Sequence, residues 1–488
     1  MSWAIGGALA SAVLFGFAAR LQAPSQVAAL LALAPWMIAS ERAGTRAALA
    51  AAALLASAMS AACFYWLPPA LAGYTGVSLP VAWAAMLMLA PLVLEPQFLL
   101  ATAARLGAPR FKPAVFIAAY LAADWAAPKL LGDTLGLGLH PDPWLRQFAE
   151  LGGVLLLTLL CLCASSVRSG RQAIAALLLL AFAWGFGALR LQAVEEATRR
   201  APVLAVGVVQ AAIPSYDKLA AEHGTYQAVR QILDAHFALS AKLSGRVDLL
   251  VWPETVYPTT FGAPKSEAGA EFDAEIASRA GAVPLVFGAF EHSDAGEHNA
   301  AFVLDRGGLQ TYRKSALFPL TEHVPAWLEP LRLPWMGHWQ PGDGPRILEA
   351  RAGSALVHLA PLICYEAVRP GAVAAGADLI VTLSNDGWFP AGAGPRLHLV
   401  AAAFRSVETR LPQVRATNSG ISALILPSGE IVGALPFGAA AAARYEVPRL
   451  APFVSPWRMR WVGPAALALC GLLLAAGANL RASGERRA

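Results

Sequence analysis

Three residues in the polar part of the chain have the side chains that nucleophilic catalysis at a carbonyl group needs. Cys364, Glu254 and Lys314 each follow a short apolar or β-branched run that is typical of a buried strand. A cysteine attacks a carbonyl as a thiolate, and a neighbouring base or cation promotes the loss of its proton. The set predicts a nucleophile at Cys364, with Glu254 exchanging protons. Lys314 would lower the thiol pKa and stabilise the oxyanion.

Cys364 is the cysteine that the sequence favours as a nucleophile, because it lies in a segment of ordinary polarity. The others lie inside long apolar runs, at Cys63, Cys161, Cys163 and Cys470. A free cysteine also packs well as a small apolar side chain, so a structural role is the alternative. The backbone N–H of Tyr365 follows the nucleophile at a predicted turn and is the expected second oxyanion donor.

Composition and charge exclude several other kinds of site. The nine histidines show no metal-ligand spacing, and no Cys/His cluster suits zinc, so we expect neither a metal nor a cofactor. The net charge of +5 is small for 488 residues, and no basic run or basic-aromatic patch is present. Nucleic-acid binding is therefore not predicted.

The elements that would position these residues alternate between strands and helices. Strands are predicted at residues 203–210, 248–253, 284–290, 301–305, 310–313, 355–363, 378–384, 413–417, 422–427 and 431–434. Helical patterns lie between them at residues 221–243, 268–280, 370–375 and 395–410. This alternation predicts α/β layering with buried sheets, in which site residues gather at strand ends.

The remainder of the chain is typical of a membrane protein. Hydrophobic residues make up 57% of the sequence and charged residues only 14%, against about 25% charged in soluble proteins. Eight apolar runs approach the length of a membrane span, at residues 3–19, 26–40, 47–67, 79–100, 114–125, 151–167, 173–191 and 462–480. The first run lacks a basic n-region and is expected to be an uncleaved helix.

Basic residues give the bundle its predicted orientation. With the amino terminus inside, most arginines and lysines of the short loops and the tail fall on the cytoplasmic side. We therefore expect a bundle of seven helices over residues 1–194 and an extracytoplasmic domain over residues 195–455. Residues 456–488 would form a closing helix and a basic cytoplasmic tail. The sequence has no coiled coil or repeat, so we expect a monomer.

Two acidic residues, Glu95 and Asp124, fall inside predicted spans. Acids at such positions are costly in lipid and usually face a cavity or a partner. Glu95 precedes Pro96, which places it at a helix break. Both a structural and a functional role stay open for each of them.

The order Glu–Lys–Cys and its flanking sequences resemble the nitrilase superfamily of carbon–nitrogen hydrolases. The matching stretches are residues 251–255, 312–314, 319–325 and 363–366. With eight predicted spans around such a domain, the chain is similar to the membrane-bound apolipoprotein N-acyltransferases of bacteria. Residues 203–435 carry most of this resemblance, with further similar stretches at residues 207–214, 339–342, 384–389 and 415–421.

The resemblance implies an αββα sandwich on a multi-pass membrane bundle, in the bacterial inner membrane with the catalytic domain in the periplasm. It implies that Cys364 takes an acyl chain from a phospholipid as a thioester. The α-amino group of a lipoprotein's lipidated terminal cysteine would then accept that chain, in a ping-pong sequence.

The resemblance also implies roles for single residues. Glu254 would be the base, Lys314 the oxyanion donor and Cys364 the nucleophile. Glu322 matches the glutamate that orients the lysine. Pocket positions are matched by Tyr365, Glu366, Asn385 and Trp388, and Tyr216 stands where the family has a tryptophan on an active-site loop.

Several positions depart from the family pattern. Ala211-Ala212 replace Gly-Asn, and Thr321 and His323 replace a glycine and a tyrosine. The aromatic and proline-rich loop of the family is not evident around residues 129–140. A membrane paralogue that acts as an amidase or uses another acceptor, such as a protein of a conjugal-transfer system, stays open. An inactive scaffold is the third reading, which the intact Glu–Lys–Cys set argues against.

Overall fold

The structure is a computed structural model that describes most of the chain. The described residues are 2–41, 43–108, 111–127, 129, 132–213, 216–262, 265–279, 283–324, 330, 337–450 and 461–485. For residues 216–218 and 480–485 only the backbone is described. The chain divides into two compact units: unit 1 is Met1–Gln192, Gly392–Phe404 and Trp457–Ala488, and unit 2 is Ala193–Ala391 and Arg405–Pro456.

Unit 1 is helical, and its helices are rich in alanine and leucine, which favour helix formation. Its helices are α1 (Ser2–Ala18), α2 (Ser25–Leu31), α3 (Ala34–Ser40), α4 (Thr45–Cys63), α5 (Leu67–Thr75), α6 (Leu79–Leu89), α7 (Gln97–Gly107), α8 (Lys112–Ala126), α9 (Val154–Ser165) and α10 (Gly170–Arg200), the last of which ends in unit 2. A last helix, α15 (Val462–Glu485), follows unit 2 in the sequence. Helix α5 ends at Gly76, whose φ of +74° is a left-handed conformation that suits glycine.

Among the described residues, three helices are long and apolar enough to cross a membrane. These are Thr45–Cys63, Gly170–Arg200 and Val462–Asn479. The pair Leu79–Leu94 and Gln97–Gly107, bent by 46°, makes a fourth if it is one span. The helices Ser2–Ala18, Ser25–Ser40 and Val154–Ser165 are apolar but shorter. The predicted count of eight spans is therefore not confirmed, although the membrane character is.

The predicted helix break at Glu95 is present. A π-helical turn, Ala90–Leu94, precedes Glu95, and α7 starts two residues later. Lys129 lies 3.0 Å from Glu95 Oε2 and 3.0 Å from Asp124 Oδ1, and a longer contact of 3.7 Å joins it to Asp133. Glu95 and Asp124 are thus paired acids that share one buried ammonium group.

The described residues of unit 2 form two β-sheets. The first has the order β13-β1-β2-β4-β5-β6, with β3 paired to β4. Its strands are β1 (Val203–Gln210), β2 (Leu249–Val251), β3 (Tyr257–Thr260), β4 (Leu285–Ser293), β5 (Gly296–Asp305), β6 (Gly308–Arg313) and β13 (Ala441–Pro448). The second has the order β12-β11-β10-β9-β8-β7. Its strands are β7 (Leu348–Ala352), β8 (Ala355–Ile363), β9 (Leu379–Ser384), β10 (Gln413–Thr417), β11 (Ala423–Ile425) and β12 (Ile431–Val432).

The two sheets pack face to face through an apolar core. Alternate residues of β1, Leu204, Val206 and Val208, lie in the same buried cluster as Leu359 and Val381 of the second sheet. Burying a valine or leucine of this kind contributes about 1.5–3 kcal/mol. Strand β9 is buried at every position, as expected for a strand with parallel neighbours on both sides.

Helices cover the other face of the first sheet. The helices of unit 2 are α11 (Tyr216–His223), α12 (Thr225–Ala241) and α13 (Glu267–Arg279), and α14 (Ala393–Thr409) begins in unit 1 and ends in unit 2. Ile232 and Phe237 of α12 and Ile276 of α13 share a buried cluster with Val209 and Phe287 of the sheet. The predicted α/β sandwich with two stacked sheets is confirmed.

Some elements differ from the predicted ones. Strands β3, β7 and β13 were not predicted. Strands β7 and β13 are rich in alanine and charged residues, which are poor strand formers, and they become strands by pairing with β8 and β1. The helix predicted at residues 370–375 is wrong. Those residues form turns, and Gly371 has a φ of +78° that a helix does not accommodate.

Candidate active site

Glu254 lies three residues beyond the end of β2 and is 6% exposed. The loop that carries it passes closely over β4, where Gly288 donates its N–H to Pro253 O at 3.0 Å. A Cβ atom at Gly288 would lie 2.6 Å from Glu254 Cα, so only glycine fits there without displacing the loop. The loop therefore holds the carboxylate in a fixed, buried position.

Lys314 follows β6 directly and is 1% exposed. Its Nζ lies 2.7 Å from Glu322 Oε1 and 3.5 Å from Glu254 Oε1. The other oxygen of Glu322 accepts a hydrogen bond from the N–H of Phe318 at 2.7 Å, which fixes the loop between lysine and glutamate. The structure therefore brings the predicted base, cation and orienting glutamate together.

Cys364 marks a sharp change of direction between β8 and the 3₁₀ turn Cys364–Val368. Its φ of +51° is left-handed, which turns the chain abruptly out of the sheet. Glu366, 1% exposed, stabilises this turn by accepting the N–H of Ile363 at 2.8 Å. The nucleophile candidate is thereby presented at the end of a buried strand.

Glu366 also binds the segment that follows Lys314. Its Oε1 accepts hydrogen bonds from Tyr312 OH at 2.7 Å and from the N–H groups of Ser315 and Ala316 at 2.8 and 3.1 Å. One buried carboxylate thus joins the end of β6 to the turn at Cys364. Its contacts make Glu366 a connector between two strand ends.

The ionisation of the thiol depends on its surroundings. Burial raises the pKa of Cys364 well above its ordinary value, and the Glu254 carboxylate raises it further, whereas the Lys314 ammonium opposes the change. Lys314 acts in the predicted direction, but burial outweighs it. Desolvation alone would lower the pKa of Lys314, but Glu322 and then Glu254 raise it above its ordinary value. The resting site therefore holds a neutral thiol beside a charged ammonium.

Asn385 and Trp388 follow β9 at the same edge of the sheet. The N–H of Asn385 donates to Glu254 Oε2 at 2.7 Å. Between them, Asp386 is fully buried and forms an ion pair with Arg415 of β10 at 2.8 Å. The predicted contact residue Asn385 therefore touches the base through its backbone.

Aromatic rings follow Cys364 and line the same end of the second sheet. The Tyr365 ring packs edge-on against Phe318 with centroids 5.2 Å apart, and Phe318 lies 6.1 Å from the Trp388 ring. Trp388 in turn stacks on Phe389 at 3.8 Å. These rings give the site an apolar wall. The side chain of Tyr216, the other predicted contact residue, lies outside the described residues.

One polar residue of the site was missed from the sequence. Asn299 of β5 is 5% exposed, and its Nδ2 donates to Glu254 Oε1 at 2.8 Å. The signal was present, because Asn299 interrupts a strand in which Ala300, Ala301 and Phe302 are all buried and apolar. A buried amide in such a run needs a partner.

This arrangement can perform acyl chemistry through a cysteine. A carboxylate that can accept a proton, an ammonium and a thiol lie at or just past the ends of β2, β6 and β8, and the ammonium can stabilise a developing oxyanion. The carboxylate of Glu322 keeps the lysine charged. Attack on an ester or amide carbonyl is the reaction class that this set supports.

Comparison with known proteins assigns families to both parts of the sequence. Residues 205–447 match the carbon-nitrogen hydrolase family, and residues 11–167 match the apolipoprotein N-acyltransferase N-terminal domain. The sequence is 35% identical to the apolipoprotein N-acyltransferase of Azotobacter vinelandii, over 74% of this chain and 69% of that relative. For the Pseudomonas putida enzyme the identity is 33%, over 68% of this chain and 67% of the relative.

Other matches are less complete. The apolipoprotein N-acyltransferase of Bdellovibrio bacteriovorus is 32% identical over 46% of this chain. The match spans 45% of the length of that relative, and 61% of the length of the Agrobacterium fabrum protein.

Proposed function

This chain belongs to the apolipoprotein N-acyltransferase family, and on that basis we propose that it transfers an acyl chain from a phospholipid to a lipoprotein. The acceptor is the α-amino group of the lipoprotein's lipidated amino-terminal cysteine. The observation that carries the proposal is the ion-pair set of buried Lys314 with Glu254 and Glu322, whose charges act on the Cys364 thiol. The match of residues 11–167 to the family's N-terminal domain supports the lipid-linked form of this chemistry.

In the first half-reaction, Glu254 accepts the thiol proton as Cys364 Sγ attacks the acyl ester carbon. Lys314 Nζ and the N–H of Tyr365 stabilise the oxyanion that forms. The ester C–O bond then breaks, and Glu254 gives the proton to the departing lysophospholipid oxygen. The acyl chain remains on Cys364 as a thioester. The raised pKa of the thiol makes this transfer to Glu254 necessary, since little thiolate exists beforehand.

In the second half-reaction, the α-amino nitrogen of the lipoprotein attacks the thioester carbon. Glu254 accepts a proton from that nitrogen, and the C–S bond breaks to give an amide. The same carboxylate then returns the proton to the Cys364 sulfur, which restores the resting thiol. The two substrates use one nucleophile in turn, so ping-pong kinetics are expected.

Supporting residues follow from their contacts. Glu322 keeps Lys314 oriented, Glu366 holds the turn at Cys364, and Asn385 fixes one oxygen of Glu254. Trp388 and Tyr216 are proposed to contact substrate. No metal or cofactor takes part in this scheme.

We further infer that the protein is a monomer in the bacterial inner membrane, with unit 2 on the periplasmic side. Eight crossings are obtained if α2 with α3, and α6 with α7, each form one broken span. The short helices α1, α8 and α9 would each complete a further span. The distribution of basic residues supports this orientation.

A different acyl acceptor is the second candidate, and one structural observation bears on it. Ala212 has a φ of +51°, a conformation that asparagine adopts more readily than alanine. Alanine thus stands where the family has asparagine, although the backbone there keeps the left-handed conformation that asparagine adopts more readily. The departures from the family pattern at Ala212, after β1, and at Thr321 and His323, after β6, support a membrane paralogue with another acceptor.

Replacing the nucleophile tests the proposal. Cys364→Ala is expected to abolish N-acylation of a lipoprotein, because no thioester can form, while membrane insertion stays normal. Mass spectrometry of wild-type protein incubated with phospholipid should find an acyl adduct on Cys364. Cys163→Ala is the matched control, since Cys163 lies in the apolar helix α9, and should retain activity.

Complementation separates the alternatives. Wild-type protein should support growth of a strain depleted of its own apolipoprotein N-acyltransferase, and Cys364→Ala should not. Failure to complement with a normal acyl adduct would indicate a different acceptor. Lipoprotein acylation by the Cys364→Ala variant would show that the nucleophile is assigned wrongly.

A further inference from the structure

Asn299 occupies a place in the site that the scheme above leaves without a role. It lies in β5, and its backbone oxygen accepts the N–H of Lys314 at 2.8 Å across the β5–β6 ladder. The strand pairing therefore fixes the position of Asn299 relative to the catalytic lysine. Its side chain is 95% buried, so it is held by protein groups and not by solvent.

The amide of Asn299 lies between the two carboxylates that hold Lys314. Its Nδ2 donates to Glu254 Oε1 at 2.8 Å and makes a longer contact of 3.4 Å with Glu322 Oε1. Carboxylates this close repel each other unless donors lie between them. Lys314 approaches Glu254 only to 3.5 Å, so the amide makes the shorter contact with that oxygen.

Both oxygens of Glu254 are then accounted for by neutral N–H donors. Oε1 accepts from Asn299 and Oε2 from the N–H of Asn385 at 2.7 Å. Donors on both oxygens fix the rotation of the carboxylate about its last bond, so that its orientation toward Cys364 is set by the fold. Removing the Asn299 donor would free one oxygen and let the carboxylate shift toward Lys314.

We propose that Asn299 is a positioning residue, which holds Glu254 in the orientation needed to exchange protons with Cys364. The proposal rests on the proposed function, because it assigns Glu254 the role of base. Asn299 acts through Glu254 and Lys314, and it is not expected to contact the acyl donor. Its loss should therefore lower the rate of thioester formation without weakening donor binding.

The test uses full-length protein in detergent and p-nitrophenyl butyrate, an activated ester that reports acylation of Cys364 by a burst of p-nitrophenolate. Asn299→Ala is expected to slow the burst about 10- to 100-fold, as for loss of a hydrogen bond to a charged group. The donor concentration for half-maximal burst rate should stay unchanged. Asn299→Asp keeps the shape but adds a third carboxylate, and it should be at least as slow.

Gln413→Ala is the matched control. Gln413 is a fully buried amide of β10 that donates to Thr382 Oγ1 at 2.7 Å. Gln413→Ala should lower the thermal unfolding midpoint about as much as Asn299→Ala does. The burst rate of the folded Gln413→Ala protein should stay near the wild-type value. Equal slowing in Gln413→Ala and Asn299→Ala would overturn the proposal, because it would reduce Asn299 to a packing role.

Other outcomes also decide the matter. A higher half-maximal donor concentration at an unchanged maximal rate would make Asn299 a binding residue and overturn the proposal. If wild-type protein bursts with the activated ester but acylates no lipoprotein, the proposed function fails while the role of Asn299 is still measured. A wild-type protein without any burst would overturn both.

Discussion

At the scale of single residues, the thiol of Cys364 and the ammonium of Lys314 are both held in their protonated forms. Burial raises the pKa of the thiol, and two carboxylates raise the pKa of the lysine. Under the proposed mechanism, this thiol stays protonated until a substrate carbonyl arrives and Glu254 takes its proton. A protonated thiol also resists oxidation, which proceeds through the thiolate.

A second buried titratable residue, His236 of α12, lies away from the reacting groups. Its Nδ1 is 2.8 Å from Ile232 O, and its ring lies 5.3 Å from that of Trp252, two residues before Glu254. Burial lowers the pKa of His236 from 6.5 to about 4. Between these pH values the unfolded chain binds more protons at His236 than the folded chain does. The neutral, buried His236 therefore costs no unfolding free energy above pH 6.5, and the unfolding free energy decreases as the pH falls toward 4.

We predict that His236→Gln reduces the acid sensitivity of unit 2. The wild-type protein should lose about 3 kcal/mol of unfolding free energy from this group between the two pKa values, and the variant should not. Thermal unfolding followed by tryptophan fluorescence at neutral and acidic pH measures the difference. His223→Gln, at an exposed position on α11, serves as the control. Identical acid sensitivity in wild type and His236→Gln would contradict the prediction.

At the scale of elements, Glu366 connects the end of β6 to the turn after β8. Glu366→Ala would leave the buried N–H group of Ile363 and the partly buried N–H groups of Ser315 and Ala316 without their acceptor. We expect a loss of about 3 kcal/mol or more in stability, and a slower acyl burst because both strand ends move. Thermal unfolding and the burst assay measure these effects. A normal burst in stable Glu366→Ala protein would show that the two strand ends hold their positions independently.

In unit 1, the element-scale feature is the break between α6 and α7. Lys129→Met would leave Glu95 and Asp124 buried without their shared cation, which should cost about 3–5 kcal/mol. The control is Arg168→Met, because the pair Arg168–Glu41 is partly exposed and should cost no more than about 1 kcal/mol. The thermal unfolding midpoint of the detergent-purified protein compares them. Equal shifts would mean that the intramembrane acids have other partners.

The elements also explain how far the sequence predicts the site. Glu254, Lys314 and Cys364 could be located because each lies at or just past the end of a stretch that the sequence predicts as a strand. Asn299 could not, since its role depends on which strands pair and on the loop that Gly288 allows to approach. Lys129 could not be predicted as the partner of Glu95 either. The two residues are 34 positions apart in the sequence, and only the folded chain brings them together.

At the scale of the whole molecule, the topology is the feature that connects the units to their function. Positive residues predict that residues 195–455 lie outside the cytoplasm, where lipidated proteins and the outer leaflet are within reach. The number of membrane spans cannot be read from helix length alone. Helices α2 and α3, for example, are each too short to cross a membrane. Unit 1 holds Met1–Gln192 and Trp457–Ala488, and also Gly392–Phe404, a stretch inside the predicted domain of residues 195–455.

Labelling of single introduced cysteines tests this orientation. Glu267→Cys, exposed at the start of α13, should react with a membrane-impermeant maleimide in intact spheroplasts. Arg171→Cys, exposed near the start of α10, should react only after the membrane is permeabilised. The opposite pattern would place the catalytic site in the cytoplasm and exclude a periplasmic acceptor.

The left-handed turn at Cys364 has a consequence for how this fold can evolve. A residue with a Cβ atom held at a φ of +51° costs of order 1–3 kcal/mol, which the rest of the domain must offset. A chain selected for stability alone would place glycine at position 364 and lose its nucleophile. Activity and stability therefore oppose each other at this position. Substitution of Cys364 by glycine would give a more stable but inactive protein.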